Sequence, residues 1–334
     1  MTPKIPPATI TTGRGREGVH VSDGCMELKG ISKSFPGVSA LDCVSFSVKK
    51  GSIHGFLGPN GAGKTTTLKI IAGLCGPSSG EIYFDGKLAN SVSCHRSIGL
   101  LLEDTCLYED MQVIDYLKLV GGIFGEKPAL LDSQIEKVME QVDIVHVKKR
   151  LIGNLSKGYK QRVGLAASLV HNPDILLLDE PTNGLDPKSI KNMRDLIISL
   201  KGEHTIIISS HLLAEIEMMC DDITIINKGE VLYSGSVEGA SETLKQSQSF
   251  CLKYGNGKLS WKEGFIKEFS LEVVEQRSEN AGESFLKFKK RAGEDRRFAM
   301  NQYLLAHGCE VFEFYMEEKH LEDVFLDMVG GENV

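Results

Sequence analysis

The segment Gly58-Pro59-Asn60-Gly61-Ala62-Gly63-Lys64-Thr65 constrains this chain more than any other. It fits the pattern G-x-x-x-x-G-K-[ST] of a loop that wraps around phosphate. Glycines let backbone amides curl around an anion in conformations that bulkier residues resist. A helix opening near Gly63 aims its positive end at the same point. Lys64 is then placed to neutralise β- and γ-phosphate charge, and the Thr65 hydroxyl to ligate magnesium. An accidental match arises in about one chain in a hundred of this length. Here Ile53–Leu57 reads as a strand and Lys64–Leu74 as a helix, so the loop has the strand-loop-helix context that its chemistry needs.

A second segment, Ile175-Leu176-Leu177-Leu178-Asp179-Glu180, is an apolar run ending in two carboxylates. In α/β sheets ligands bind at the carboxyl ends of strands. Asp179 there suits a magnesium ion, directly or through water, and Glu180 suits a general base that polarises the attacking water. Such a strand end is common by itself. Its weight comes from standing downstream of the phosphate loop and just before Pro181-Thr182-Asn183-Gly184-Leu185-Asp186-Pro187. A third segment, Leu155-Ser156-Lys157-Gly158-Tyr159-Lys160-Gln161-Arg162, places Ser156 as a helix N-cap, with Gly158 leaving amides open to a phosphate. An ordinary cap is the alternative.

The rest of the chain is α/β. Ser45–Val48, Asp174–Asp179 and Thr205–Ser209 read as strands, the last two as compact apolar runs buried on both faces. Ile223–Asn227 and Val231–Ser234 flank the turn Lys228-Gly229-Glu230. From about 104 to 172 the pattern is helical and amphipathic, as in Ser133–Val142 with Ile135, Val138, Met139 and Val142 on one face. The expected layout is a leader over 1–25 without fixed structure, a nucleotide-binding domain over 26–236 and an accessory α/β domain over 237–334. In the accessory domain, strands at Phe250–Tyr254, Leu271–Gln276, Ser284–Lys289 and Glu310–Tyr315 alternate with helices at Arg296–His307 and His320–Met328.

A net charge of −7 over 334 residues argues against a nucleic-acid partner, which normally calls for a basic excess. No apolar window reaches the length of a bilayer span, and the leader has no signal-peptide core. The eight cysteines are scattered without a C-x-x-C pair, which reads as buried free thiols in a reducing compartment.

Taken in order, the three segments resemble the ATP-binding cassette (ABC) ATPases, over about Met26 to Ser236. The resemblance implies a P-loop fold with a helical subdomain, ATP and Mg2+ as cofactors, and an ATP contact through Gly58 to Thr66, Thr66 included. Ser156 and Gly158 match the family's LSGGQ signature, which reaches across a dimer to the partner's γ-phosphate; Lys157 replaces a Gly and Tyr159 the Gln. Asp186 matches the aspartate of the dimer interface, and His211 the switch histidine at the γ-phosphate. Phe35 matches the aromatic that stacks on adenine; a core phenylalanine is the competing reading. Glu103 falls where the family has a glutamine that touches magnesium and couples to the membrane partner. An exposed loop glutamate is the alternative, and a carboxylate there is also a fitting ligand for a hard cation. The form LSKGYKQRV and the ending Leu321-Glu322-Asp323-Val324-Phe325-Leu326 are similar to the branch that energises ABC-2-type exporters.

This resemblance implies catalysis by Glu180, His211 and Lys64, with metal ligation by Thr65, Asp179 and Glu103. It also implies a homodimer or heterodimer of ATPase subunits driving a separate permease from the cytoplasmic face of the membrane. Two rivals remain. A cassette ATPase acting on ribosomes or DNA usually has two cassettes or a long coiled-coil insertion, and this chain has one P-loop and no heptad run. A non-catalytic nucleotide-binding regulator is disfavoured by the presence of both Glu180 and His211.

Overall fold

The computed structural model describes residues 24–89, 97–125, 128–240, 249–255, 261–280, 283–290 and 296–317. Most of the leader and the 320–328 helix therefore lie outside the described residues. The chain divides into two compact units, Met1–Val237 and Glu238–Val334.

The first unit contains two sheets. Strands β1 (Gly24–Phe35), β2 (Val38–Lys49), β4 (Ser79–Phe84) and β5 (Lys87–Leu88) form an antiparallel sheet in the order β2-β1-β4-β5. The second sheet contains β3 (Ile53–Leu57), β6 (Ile98–Leu101), β7 (Ile175–Asp179), β8 (Thr205–Ser210), β9 (Asp222–Asn227) and β10 (Glu230–Ser236), ordered β10-β9-β3-β8-β7-β6. Its five pairings begin with an antiparallel β10–β9 hairpin and continue as parallel ladders, with Ile53 opposite Ile206 and Ile175 opposite Thr205. Every residue of β3, β7 and β8 is buried, as expected for parallel strands covered on both faces.

Helix α1 (Lys64–Ile71) follows β3 and packs Leu68 and Ile71 into a core shared with Leu28, Val44, Phe56 and Leu177. It stops earlier than the expected Leu74. Gly73 takes φ 72, and the amides of Gly73 and Leu74 donate to the carbonyls of Ile70 and Lys69. This is a Schellman stop.

Between β6 and β7 lie the helices α2 (Val113–Ile123), α3 (Pro128–Gln141) and α4 (Lys157–Leu169), which contact one another. Helix α3 begins five residues before the expected Ser133, because Pro128 is pre-organised for a first helical turn. Its apolar face is the expected one: Ile135, Val138 and Met139 are buried, and Val142 follows them into the core. Helices α5 (Pro187–Ser199) and α6 (Leu213–Met219) follow β7 and β8.

The second unit runs β11 (Ser249–Gly255), α7 (Trp261–Glu268), β12 (Leu271–Asn280), β13 (Glu283–Lys290), α8 (Arg297–Ala306) and β14 (Val311–Glu317). Its sheet is antiparallel in the order β12-β13-β11-β14, the split βαββαβ arrangement. Phe250, Leu252, Trp261, Phe265, Phe288, Met300 and Leu304 form a core of its own.

Cys25, Cys251 and Cys309 are buried and in no disulfide, but Cys43 and Cys106 are exposed, which corrects the expectation that all were internal. Among the described residues no helix is long and apolar enough to cross a membrane.

Candidate active site

The phosphate loop is built from both sides of the fold. A Cβ on Gly58 would run into the carbonyl of Ile226, and one on Gly63, at φ 110, into the carbonyl of Ala40. The loop therefore approaches neighbouring backbone more closely than a side chain permits. The β9–β10 turn supports it: the Gly229 amide donates to the Ala62 carbonyl at 3.0 Å. Lys64 is buried at the start of α1, its Nζ donating to the Gly58 carbonyl at 2.7 Å. Asn60 and Gly61 are exposed at the crest, and Pro59, Thr65 and Thr66 are half-buried.

Strand β7 delivers Asp179 and Glu180 to this loop. The Thr65 hydroxyl donates to Asp179 Oδ2 at 2.8 Å, and the Ser209 hydroxyl donates to Asp179 Oδ1 at 2.5 Å. Thr65 and Asp179 are thus adjacent hard oxygen donors. That set fits Mg2+, which takes one or two protein ligands beside phosphate and water. Among the described residues no group of three His, Cys, Asp or Glu side chains forms a fuller metal cage.

Glu180 is buried, with Oε1 3.2 Å from Lys64 Nζ and Oε2 accepting from His211 Nδ1 at 2.8 Å. Lys64, Thr65, Asp179, Glu180 and His211, which lie far apart in sequence, therefore meet at the carboxyl ends of β3, β7 and β8. Buried charges of this kind persist only when paired. Here the base candidate lies between a lysine and a histidine.

The remaining predicted residues lie farther out. Glu103, on the exposed segment after β6, accepts from Asn183 Nδ2 at 2.6 Å. Ser156 occupies the N-cap of α4 with φ −64 and ψ 161, but its hydroxyl makes no capping bond. Among the described residues, no side-chain hydrogen bond joins Ser156 to the phosphate loop of its own chain. Gly158 faces Ser189, and the Lys157 ammonium lies against Gly184. Asp186 caps α5, accepting from the amides of Lys188 and Ser189 and from the Ser189 hydroxyl. That hydroxyl, with the amides, holds the Asp186 carboxyl below the usual range. Phe35 is 47% exposed, with Lys33 over its ring, so the core reading of this residue does not hold.

Ser209, Thr182 and Asn183 escaped the reading of the sequence. Ser209 carried a faint signal, as a polar residue at the end of an apolar strand two positions before His211.

An open α/β sheet with a phosphate loop, a carboxylate pair at the end of a strand one removed from it and a helical insertion between them in sequence defines a P-loop ATPase. Residues 41–183 match the family model described as ABC transporter. The chain is 34% identical over 305 residues to the bacitracin transport ATP-binding protein BcrA of Bacillus licheniformis, covering 90% of this chain and 96% of that one. It is 37% identical over 222 residues to the lantibiotic transport ATP-binding protein SrtF of Streptococcus pyogenes, covering 66% and 94%. Among solved structures, cbiO1 from Clostridium perfringens, part of the ABC transporter complex cbiONQ, superposes with a TM-score of 0.60 at 27% identity, covering 67% of this chain and 95% of that one. The ADP conformation of the cassette MJ1267 gives 0.59 at 27% identity, covering 64% and 92%. The chain belongs to the ABC transporter family as an ATP-binding subunit. It binds ATP and couples its hydrolysis to transport.

Proposed function

We propose that Glu180 is the general base of ATP hydrolysis, with His211 and Lys64 completing the catalytic group. The single observation that carries this reading is the Glu180 carboxylate held between Lys64 Nζ and His211 Nδ1. Gly58 to Thr66 cradle the phosphates, and Phe35 stacks on the adenine. Mg2+ is held by Thr65 and Asp179, with Glu103 as a further oxygen donor; when bound, it neutralises phosphate charge. Ser156 and Gly158 serve the nucleotide of a second subunit, with Asp186 at the interface, so that two ATP sites close when two subunits meet. The uncapped Ser156 hydroxyl supports this reading, because it leaves a donor at the positive end of α4.

The assembly we infer has residues 26–236 as the cassette, 104–172 as its helical subdomain and 237–334 as an accessory domain. It sits on the cytoplasmic face of the membrane against a separate permease of the ABC-2 type. Closure of the dimer drives export. The relatives named for bacitracin and lantibiotic transport support cargo of that kind.

Glu180→Gln tests the reading. The amide keeps shape but cannot take the proton, so turnover is expected to fall by roughly 10² to 10⁴. ATP binding is expected to survive, and light scattering is expected to show ATP-trapped dimers. Unchanged turnover removes Glu180 from its role.

A further inference from the structure

Glu180 adopts φ 48, a left-handed conformation that a residue with a side chain keeps only where its surroundings hold it. On one side, its amide is fixed by the Ser209 carbonyl at 3.2 Å and hydroxyl at 3.1 Å. On the other, the Asn183 amide returns to the Glu180 carbonyl at 3.1 Å, and the Leu185 amide to the Thr182 carbonyl at 3.2 Å. These turns close the loop on itself and do not anchor it.

Two side chains tie it to its neighbours. Thr182 is 3% exposed, and its hydroxyl donates to Glu215 Oε2 at 2.6 Å, on the helix α6 that begins two residues after His211. Asn183 donates to Glu103 Oε1 at 2.6 Å, on the segment that follows β6. Both bonds end on carboxylates, which makes them the strong, charge-assisted kind.

We infer that Thr182 and Asn183 are positioning residues for Glu180. They suspend the loop 181–185 between α6 and the Glu103 segment, so that the Glu180 carboxylate stays at Lys64 and His211. The inference rests on the reading of Glu180 as the base. It accounts for the residue types: a hydroxyl and an amide each face a carboxylate, to which a valine or leucine offers no donor. It also gives the Glu103 segment a physical route to the base. A displacement of Glu103 pulls on a residue three positions from Glu180.

The test compares Thr182→Val, Thr182→Ser and Asn183→Ala in the full-length chain. ATPase kcat and KM are measured beside the Kd of a fluorescent ATP analogue. Loss of one charge-assisted bond is expected to lower kcat roughly tenfold to hundredfold. In the Thr182 variants the analogue's Kd is expected to stay within about twofold, because Gly58 to Thr65 and Glu103 are untouched. Thr182→Ser is expected to restore most of the rate. Glu215→Ala breaks the same bond from α6 and serves if Thr182→Val does not fold; combined with Thr182→Val, its loss should be less than additive.

A kcat within about twofold of the unsubstituted chain in Asn183→Ala and in either Thr182→Val or Glu215→Ala overturns the inference. So does a loss shared equally by kcat and analogue binding, which is the mark of general damage. Full turnover in Glu180→Gln would instead sink the base assignment and leave the two hydrogen bonds without a catalytic meaning.

Discussion

His54 lies on β3, four residues before the phosphate loop, and is 1% exposed. Its ring stacks on Phe46, and Nε2 lies 2.8 Å from Thr224 Oγ1, which in turn meets Ser234 Oγ at 2.9 Å. Burial pushes its pKa down from 6.5 to about 4, outweighing the pull of Asp222 in the other direction. The folded chain therefore prefers neutral His54. Its contribution is complete above pH 6.5 and is lost as pH falls towards 4, by at most about 3 kcal/mol. Replacing His54 with Gln removes that titration. Denaturant midpoints measured from pH 7 to pH 4 should fall less steeply in this variant than in the unsubstituted chain, and parallel curves would show that His54 does not titrate on unfolding. At this scale, the sequence pointed to side chains whose placement is set by immediate neighbours. Lys64 and Thr65 follow a glycine loop, and Asp179 and Glu180 end an apolar strand. Ser209 and Asn183 were invisible because their partners, Asp179 and Glu103, stand 30 and 80 residues away. A serine at a strand end and an asparagine in a turn each have a local explanation that hides the distant one.

The β9–β10 hairpin shows how an element can serve a site that it does not enter. Lys228 and Gly229 take φ 48 and 84, the pair of left-handed residues that a two-residue type I′ turn requires. A Cβ on Gly229 would come within 2.8 Å of the Ala40 carbonyl, while its amide holds the Ala62 carbonyl in the phosphate loop. Gly229→Ala therefore adds left-handed strain to overpacking, for a cost of about 2 to 4 kcal/mol. It is expected to lower the unfolding midpoint and weaken ATP binding together. A variant that loses stability but binds ATP with its original Kd would show that the turn does not shape the loop. The turn itself was legible, since Lys-Gly between two apolar runs reads directly as a hairpin. Strands β3, β7 and β8 were legible for a similar reason: burial on both faces leaves an unbroken apolar run. Strands β1 and β2 mostly were not, because their register shifts break the alternation that marks a half-buried strand. Helix α7 was missed because only Trp261 and Phe265 are buried along its length, too few to set a period.

The two compact units have separate cores, and that separation is testable with the chain's one tryptophan. Trp261 is 2% exposed, with Tyr254 edge-on at 5.0 Å and Phe265 at 5.8 Å, so its fluorescence reports the packing of the unit that begins at Glu238. Every residue proposed to touch ATP lies before Val237. A ligand stabilises the structure it binds by about 2.7 kcal/mol when present at a hundred times its Kd. For a domain of the first unit's size, that raises the midpoint by roughly 5 to 10 °C. The second unit gains nothing if its core holds alone. ATP with Mg2+ is therefore expected to raise the thermal transition seen by far-UV circular dichroism, which is weighted towards the larger unit. The tryptophan fluorescence transition is expected to stay within about 2 °C of its nucleotide-free value. Glu180→Gln is the chain to use, because it keeps ATP intact during the scan if the base assignment holds. A fluorescence midpoint that climbs with ATP as far as the circular dichroism midpoint would show that the units unfold as one cooperative body, and that the second core depends on the first.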